Sequence, residues 1–286
     1  MRKITTEIIK SFNDYLINEE KAAATVNKYL HDVAEFQIWL GEQALSFYIE
    51  DEEEKILFDC GYSDVFLRNA ERMGITLAEV KTVVLSHGHD DHTGGLPHLK
   101  RVLPHARLVG HPDVLSEKQY ADGRNAGSLL RTEELGYTLS LAKEPQKISK
   151  HLTFLGEIPQ MNDFEIRTQF GFRRSGDELV PDYVPDDSAL VYETKDSLYI
   201  ITGCSHAGIC NIAEYAVSLF KKKIAGIIGG FHLRQMDERA EKTIAYLEGL
   251  GLSELYPCHC TSFAVRSAMH QKIPVAEVGV GMKIEW

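Results

Sequence analysis

The segment Ser86-His87-Gly88-His89-Asp90-Asp91-His92-Thr93-Gly94-Gly95 limits what this chain can become more than any other stretch. It places three imidazoles and two carboxylates within positions 87–92, directly after the apolar run Thr82-Val83-Val84-Leu85. Such a run, expected over residues 81–86, reads as a strand buried on both faces. The histidines then fall on the loop that leaves it, where a rigid scaffold can hold functional side chains. A strand would send alternate side chains to opposite faces; a loop can converge them. Gly88, Gly94 and Gly95 are expected to permit the unusual backbone angles that convergence needs. Imidazole nitrogen and carboxylate oxygen are ligands for zinc, iron or manganese. A metal site is therefore expected here rather than a solvated polar loop.

The rest of the chain is compatible with an ordinary enzyme. Its 286 residues fit one large domain, or one domain with a small appendage. With 44% hydrophobic residues there is enough apolar material for a substantial core. The formal net charge of -11 opposes non-specific binding to nucleic acid by the chain as a whole. No apolar run approaches the roughly 20 residues that span a bilayer, and the N-terminus turns polar at once, without the apolar stretch of a secretion signal. A cytoplasmic protein with no membrane association is expected. The five cysteines, Cys60, Cys204, Cys210, Cys258 and Cys260, are odd in number and argue against a disulfide framework.

From residue 46 onward, short apolar runs alternate with helical spacing. Strands are expected at 46–50, 55–59, 107–110, 189–193, 198–202, 224–228, 254–256 and, last, 275–284. Helices are expected at 64–73, 96–102, 212–220, 238–250 and 263–270. Residues 112–150 read as helices and loops laid over the site. Alternating strands and helices imply a layered α/β domain, and the hairpins at 46–59 and 189–202 make its sheets mixed.

His87-x-His89-x-Asp91-His92 after its strand resembles the signature of the metallo-β-lactamase superfamily, and the resemblance runs from about Trp39 to Trp286. It takes in Phe58-Asp59-Cys60-Gly61. Within the superfamily the chain resembles the dihydropterin-ribofuranosyl-aminobenzene-phosphate synthase-like subgroup. The matching stretches are residues 45–50, Thr202-Gly203-Cys204-Ser205-His206-Ala207-Gly208, Gly229-Gly230-Phe231-His232-Leu233 and Pro257-Cys258-His259-Cys260-Thr261. The resemblance implies a four-layer αββα sandwich with one or two metal ions, zinc first and iron or manganese as alternatives. It implies His87 and His89 on a first metal, and Asp91 and His92 on a second. Many relatives carry Thr-Gly-Asp where this chain has Thr202-Gly203-Cys204, so Cys204, as a soft thiolate ligand, or His206 would replace the usual bridging carboxylate. Cys204 is equally readable as a buried structural thiol. His259 stands where the family's final histidine ligand appears. His232 is either a ligand or a hydrogen-bond partner for a substrate oxygen. Asp59 can orient a metal-binding histidine. Cys258 and Cys260 read as packing; Asp186 and Asp187, just before a strand, are placed to approach the site, with a solvated loop as the default reading.

With metal bound, water becomes acidic enough to supply hydroxide near neutral pH. Asp91 and His232 are the catalytic candidates, Asp91 orienting the nucleophile. The expected reaction is hydrolysis of an ester, lactone, thioester or phosphoester in a small molecule, phosphorylated or not. The subgroup implies an alternative, a ribofuranosylaminobenzene-phosphate synthase-like transferase.

Residues 1–40 differ in character. Apolar positions recur with helical spacing at Ile8, Ile9, Phe12, Tyr15 and Leu16, and again from Val26 to Leu40, which predicts a helical hairpin before a domain at 41–286. Phe12-Asn13-Asp14-Tyr15-Leu16 and residues 24–36 resemble the core-binding segment of phage-integrase-type tyrosine recombinases, which clasps DNA. The resemblance implies nucleic-acid binding through residues 4–40 alone. It supports a third reading, a DNA-associated protein with a metal site and little turnover. A helical extension packed on the enzyme is the simpler expectation, because the segment is only mildly basic.

Overall fold

A computed structural model of the chain describes Ser11, Asp14, Tyr15 and residues 42–286. The chain divides into two units, Met1–Gly41 and Glu42–Trp286, and all the described strands belong to the second. The expected hairpin at 1–40 and its recombinase-like, DNA-binding reading fall, apart from three positions, outside the described residues.

Two sheets dominate the second unit. The first runs in the order β1 (Phe47–Asp51), β2 (Glu54–Phe58), β3 (Thr82–Val84), β4 (Arg107–Gly110) and β6 (Thr138–Leu141). Its β1–β2 pair is an antiparallel hairpin and the other pairings are parallel. The second runs β14 (Glu254–Cys258), β13 (Lys223–Gly230), β12 (Ser197–Thr202), β11 (Ala189–Glu193), β8 (Leu152–Phe154) and β7 (Gln146–Lys147). There β14, β13 and β12 are parallel and the remaining pairings antiparallel. A small antiparallel sheet joins β10 (Glu178–Asp182), β9 (Gly171–Ser175) and β5 (Lys118–Gln119).

The alternation of side chains along the strands builds four layers. In β2, Ile56 and Phe58 face one way and Leu57 the other. Ile56 and Phe58 join Val84 and Val109 against Phe154, Leu190, Ile201 and Ile228 of the second sheet, so this cluster is the filling between the sheets. Leu57, Val83 and Leu108 face outward onto Phe66 and Ala70 of the helix Val65–Arg72 and onto Leu96 and Leu99 of the helix Leu96–Val102. On the far side, Val191, Ile200, Ile227 and Leu255 meet three helices: Ile209–Phe220, Glu238–Gly249 and Phe263–His270. Each sheet is thus covered on both faces, which is why the central strands read as unbroken apolar runs. No helix among the described residues is long and apolar enough to cross a membrane.

Three expectations about secondary structure need correction. Residues 112–150 carry strands β5, β6 and β7 and only a four-residue helix, Thr132–Leu135. Strands of two to four residues leave no readable period. Residues 152–182, given no element in the sequence reading, hold β8, β9 and β10. The expected last strand at 275–284 does not form: it makes one bridge, Leu255 to Val275. Gly279 and Gly281 interrupt it, and glycine weakens a strand interior. The segment instead packs Ala276, Val278 and Ile284 under the inter-sheet cluster and ends with Trp286 stacked on Tyr199, ring centroids 4.6 Å apart.

Asp51 ties the hairpin edge to the chain entering β8. Its carboxylate accepts from the Ser149 hydroxyl at 2.5 Å and the His151 backbone N–H at 2.9 Å, and its Oδ1 lies 2.7 Å from His151 Nδ1. Burial pushes the Asp51 carboxyl up, but the hydrogen bonds from Ser149 and His151 outweigh it and hold it below its usual range. Asp51→Ala is expected to lose about 1.5–3 kcal/mol at pH 7, the range for hydrogen bonds to a charged group, in chemical denaturation. A depressed folded pKa stabilises above the usual value of about 3.9 and is lost as pH falls through the folded value. The difference from wild type should therefore shrink below about pH 4.

Candidate metal centre

Four loops meet where β3, β12, β13 and β14 end, at the carboxyl ends of parallel strands, where ligands of α/β sheets gather. The loop after β3 brings His87 and His89, and the short helix Asp90–Thr93 that follows brings Asp91 and His92. The loop after β12 brings Cys204 and His206, β13 delivers His232, and β14 delivers His259.

The backbone is bent for this purpose at unexpected places. Gly94 and Gly95 have ordinary φ values of -61° and -76°, which corrects the expectation that loop glycines supply unusual angles. They permit close approach instead: a Cβ at Gly95 would lie 2.0 Å from the Cys60 carbonyl oxygen, and one at Gly88 would lie 2.1 Å from that of Val114. The left-handed angles fall on Asp59, Ser205, His232 and His259, with φ of 58°, 55°, 48° and 52°. Strained backbone of this kind persists where surrounding structure holds it, and it clusters at functional sites.

The donor atoms fall into two groups. His87, His89 and His206 form the first, and Asp91, His92, Cys204 and His259 the second; within each, the donor atoms lie within 4.8 Å of one another. In the second group His92 Nε2 lies 3.2 Å from Cys204 Sγ and 3.3 Å from His259 Nε2. His259 Nε2 lies 3.2 Å from both Cys204 Sγ and Asp91 Oδ2. The groups adjoin, with the rings of His87 and His92 4.3 Å apart between centroids. In the first group His87 Nε2 sits 3.0 Å from His89 Nδ1, while the buried Nε2 of His89 has no hydrogen-bond partner.

Asp59 sets the orientation of two rings. Its carboxylate accepts from the Ser86 N–H and the Ser86 hydroxyl, both at 2.7 Å, and lies 2.6 Å from His92 Nδ1. Because the Ser86 hydrogen goes to Asp59, its oxygen, 2.9 Å from His87 Nδ1, is left to accept from that ring. Both arrangements put a proton on Nδ1 and turn Nε2 toward the group, where on His92 a bound cation would take the place of a second proton.

The electrostatics suit a cation. Burial pushes His87 and His206 well below their ordinary range and His89 down to about 3, so all three are neutral and have lone pairs to give. Burial opposes charge on His92 as well, but Asp91 and Asp59 raise it to about 9. Burial pushes Asp91 up, and His92 and His259 outweigh that and hold it below the carboxylate range. Burial raises the Cys204 thiol far above its normal value; a bound cation would reverse that. Three neutral imidazoles leaving an open position, beside a four-donor set of two imidazoles, a thiol and a carboxylate, fit first-row transition ions such as zinc. The nitrogens His87 Nε2 and His89 Nδ1, 3.0 Å apart and facing each other, are the donor pair such an ion would sit between.

All seven sequence-proposed ligands, His87, His89, Asp91, His92, His206, His259 and Cys204, therefore meet in two groups. Cys204 belongs with the second. His232 joins neither: its ring lies 4.2 Å from that of His206 and its Nε2 lies 3.5 Å from Arg234 Nη2. Burial, helped by Arg234 and Arg239, pushes it down to about 4. Asp90 turns away and accepts from Tyr120. Two expectations fail. Asp186 and Asp187 are fully buried rather than solvated, and Cys260 does more than pack, since its sulfur accepts from the His232 N–H at 3.2 Å.

Two residues escaped the sequence reading altogether. Phe170 lies over His89, ring centroids 4.1 Å apart, and screens one face of the first group. Lys118 is buried with its Nζ 3.0 Å from Asp182 and 2.8 Å from Asp186. Nothing local marks either residue.

Comparison with known proteins points the same way. The profile of the metallo-beta-lactamase superfamily matches residues 39–259. The chain is 32% identical, over 78% of its length and 82% of the relative's, to the 7,8-dihydropterin-6-methyl-4-(beta-D-ribofuranosyl)-aminobenzene-5'-phosphate synthase of Methanocaldococcus jannaschii. It is 31% identical to the uncharacterized protein MJ0448 of the same organism, over 85% of this chain and 93% of that one. Among solved structures, Tm1679, described as a metal-dependent hydrolase of the beta-lactamase superfamily, superposes with a TM-score of 0.71 at 32% identity, covering 83% of this chain and 93% of its own. YhfI of Bacillus subtilis, at 14% identity and a TM-score of 0.53 over 85% of this chain and 92% of its own, shares the fold.

Proposed function

The chain belongs to the metallo-beta-lactamase superfamily, and from that premise we propose that it is a metal-dependent hydrolase of small-molecule esters, lactones, thioesters or phosphoesters. The observation that carries the reading is the pair of adjoining donor groups, the first of them three neutral imidazoles with His87 Nε2 and His89 Nδ1 facing each other at 3.0 Å. A bound divalent ion supplies Lewis acidity and water acidic enough to furnish hydroxide near neutral pH.

The chain's own residues do the rest. His87, His89 and His206 would hold one ion, and Asp91, His92, Cys204 and His259 another. Asp91, on the side of its group that faces solvent, also orients the attacking water. His232, neutral at physiological pH, hydrogen-bonds a substrate oxygen without adding charge, and the adjacent Arg234 favours the tautomer protonated at Nδ1. Phe170 keeps bulk water from the first group, which strengthens every electrostatic interaction inside it.

A second reading, a transferase of the synthase kind, is favoured by the 32% identity to the Methanocaldococcus synthase. Zinc- or manganese-loaded protein assayed on a panel of esters, lactones, thioesters and phosphodiesters separates the two, with a ribose phosphate offered beside an aminobenzoate or pterin acceptor. Turnover confined to the hydrolytic panel supports the hydrolase, and product from the acceptor pair supports the transferase. A fully metal-loaded protein that turns over neither overturns both and leaves a metal-bearing protein with little turnover.

A further inference from the structure

We infer that Asp186 and Asp187, adjacent in the chain, are positioning residues that hold the three imidazoles of the first donor group in register, one carboxylate on each of the two loops that carry them. The inference rests on reading His87, His89 and His206 as a metal triad. Asp186 Oδ2 accepts the N–H of Gly88, the residue between His87 and His89, at 2.7 Å. Asp187 Oδ2 accepts the N–H of Ala207, the residue after His206, at 2.8 Å. Ser188 continues the strap by donating its N–H to the Ser86 carbonyl at 2.9 Å. Three successive residues thus stitch together loops that lie more than a hundred positions apart in the chain.

The strap is itself over-determined. The Lys118 ammonium bridges Asp186 to Asp182, and the Val114 carbonyl oxygen, 2.1 Å from where a Cβ on Gly88 would stand, keeps position 88 to glycine. Asp182 Oδ1 accepts the N–H of Val184 at 2.8 Å, which pins that residue at a φ of 51°. A β-branched residue there is a genuine outlier and persists only because its surroundings impose it. The Val184 carbonyl accepts from the Asp187 N–H at 3.2 Å and from the Arg167 guanidinium. Neither Asp186 nor Asp187 belongs to a donor group. Both end on the backbone of residues that flank ligands, the arrangement by which an outer shell sets ligand geometry.

The test uses the full chain and cobalt(II) as the probe ion. The readouts are ions per chain, affinity by chelator competition, the thiolate-to-cobalt absorption of the Cys204 group, and Tm. In Asp186→Ala and Asp187→Ala the first group should bind about 10–100-fold more weakly, while the thiolate band stays at wild-type intensity. Asp187→Asn, which keeps an oxygen for the Ala207 N–H, should restore the first ion. Should alanine at 186 unfold the chain, Asp187→Ala carries the test, because Asp187 lies outside the Lys118 ion pairs. Wild-type affinity at both groups in the alanine variants overturns the inference. So does parallel weakening of both groups with a fall in Tm, or unfolding of both variants, because either marks the strap as framework. A wild type that takes up no cobalt overturns the metal reading of the site instead.

Discussion

Lys118→Met is expected to destabilise the chain by about 3–5 kcal/mol, the usual result of removing one partner from a buried ion pair. The Lys118 side chain is 1% exposed and those of Asp182 and Asp186 2% and 0%. Methionine fills the volume but leaves two buried carboxylates facing each other without a cation. Burial works against the Lys118 charge, yet Asp186 and Asp182 outweigh it and raise its pKa. A raised folded pKa stabilises fully below the unfolded value of about 10.4 and fades only as pH rises beyond it, so the loss should be complete at neutral pH. For a chain of this size it corresponds to a fall in Tm of roughly 6–20 °C. The triple variant Lys118→Met, Asp182→Asn, Asp186→Asn removes the stranded charges and should recover part of the loss, since residues in one network do not contribute additively. Denaturation of the single and triple variants checks both points. A single variant within about 1 kcal/mol of wild type, in the range of exposed ion pairs, would show that the triad is not the buried, charged network described.

Asp59→Asn is expected to weaken metal at the second group by about 10–100-fold, the usual effect of removing the outer partner of a ligating histidine. Asparagine tolerates the left-handed backbone of position 59, and its oxygen can still accept the Ser86 N–H, but its amide nitrogen replaces the Oδ2 that accepts from the Ser86 hydroxyl and from His92 Nδ1. What is lost is the negative charge 2.6 Å from His92 Nδ1, which fixes the tautomer and raises the basicity of Nε2. With less anionic support His92 should hold a proton or a cation less tightly than beside the Asp59 carboxylate. Chelator competition for zinc, read beside hydrolytic kcat, measures the effect. Unchanged affinity would mean that His92 does not bind metal through Nε2.

How much of this was readable in advance follows from how local each signal is. His87, His89, Asp91 and His92 crowd one loop behind a doubly buried strand, so residue type and spacing together announce a metal. His206, His232 and His259 each follow an apolar run, and the α/β alternation sends such ends to one edge. A layered α/β domain with mixed sheets was legible because period-two and period-3.6 patterns persist through β11, β12 and the helices Glu238–Gly249 and Phe263–His270, while the number of layers came only with the family resemblance. What stayed hidden is non-local. Lys118 meets its carboxylates 64 and 68 positions further on, and Phe170 reaches His89 from a segment without periodicity. Asp186 and Asp187 looked solvated because two adjacent acids before a strand usually are; only the partners at Gly88, Ala207 and Lys118 allow their burial. The loop glycines were assigned the wrong task because a sequence shows that glycine is needed, not whether the need is an angle or a close approach.

Metal analysis of the wild type beside His89→Ala and Cys204→Ala, each loaded with zinc and then with cobalt, tests the two-group site most directly. The wild type should take up metal in both groups and show a thiolate-to-cobalt band. His89→Ala should lose the ion of the three-imidazole group and keep the band, and Cys204→Ala should lose the band and keep the other ion. A wild type that binds neither zinc nor cobalt, or a His89→Ala protein with unchanged metal content, would contradict the account.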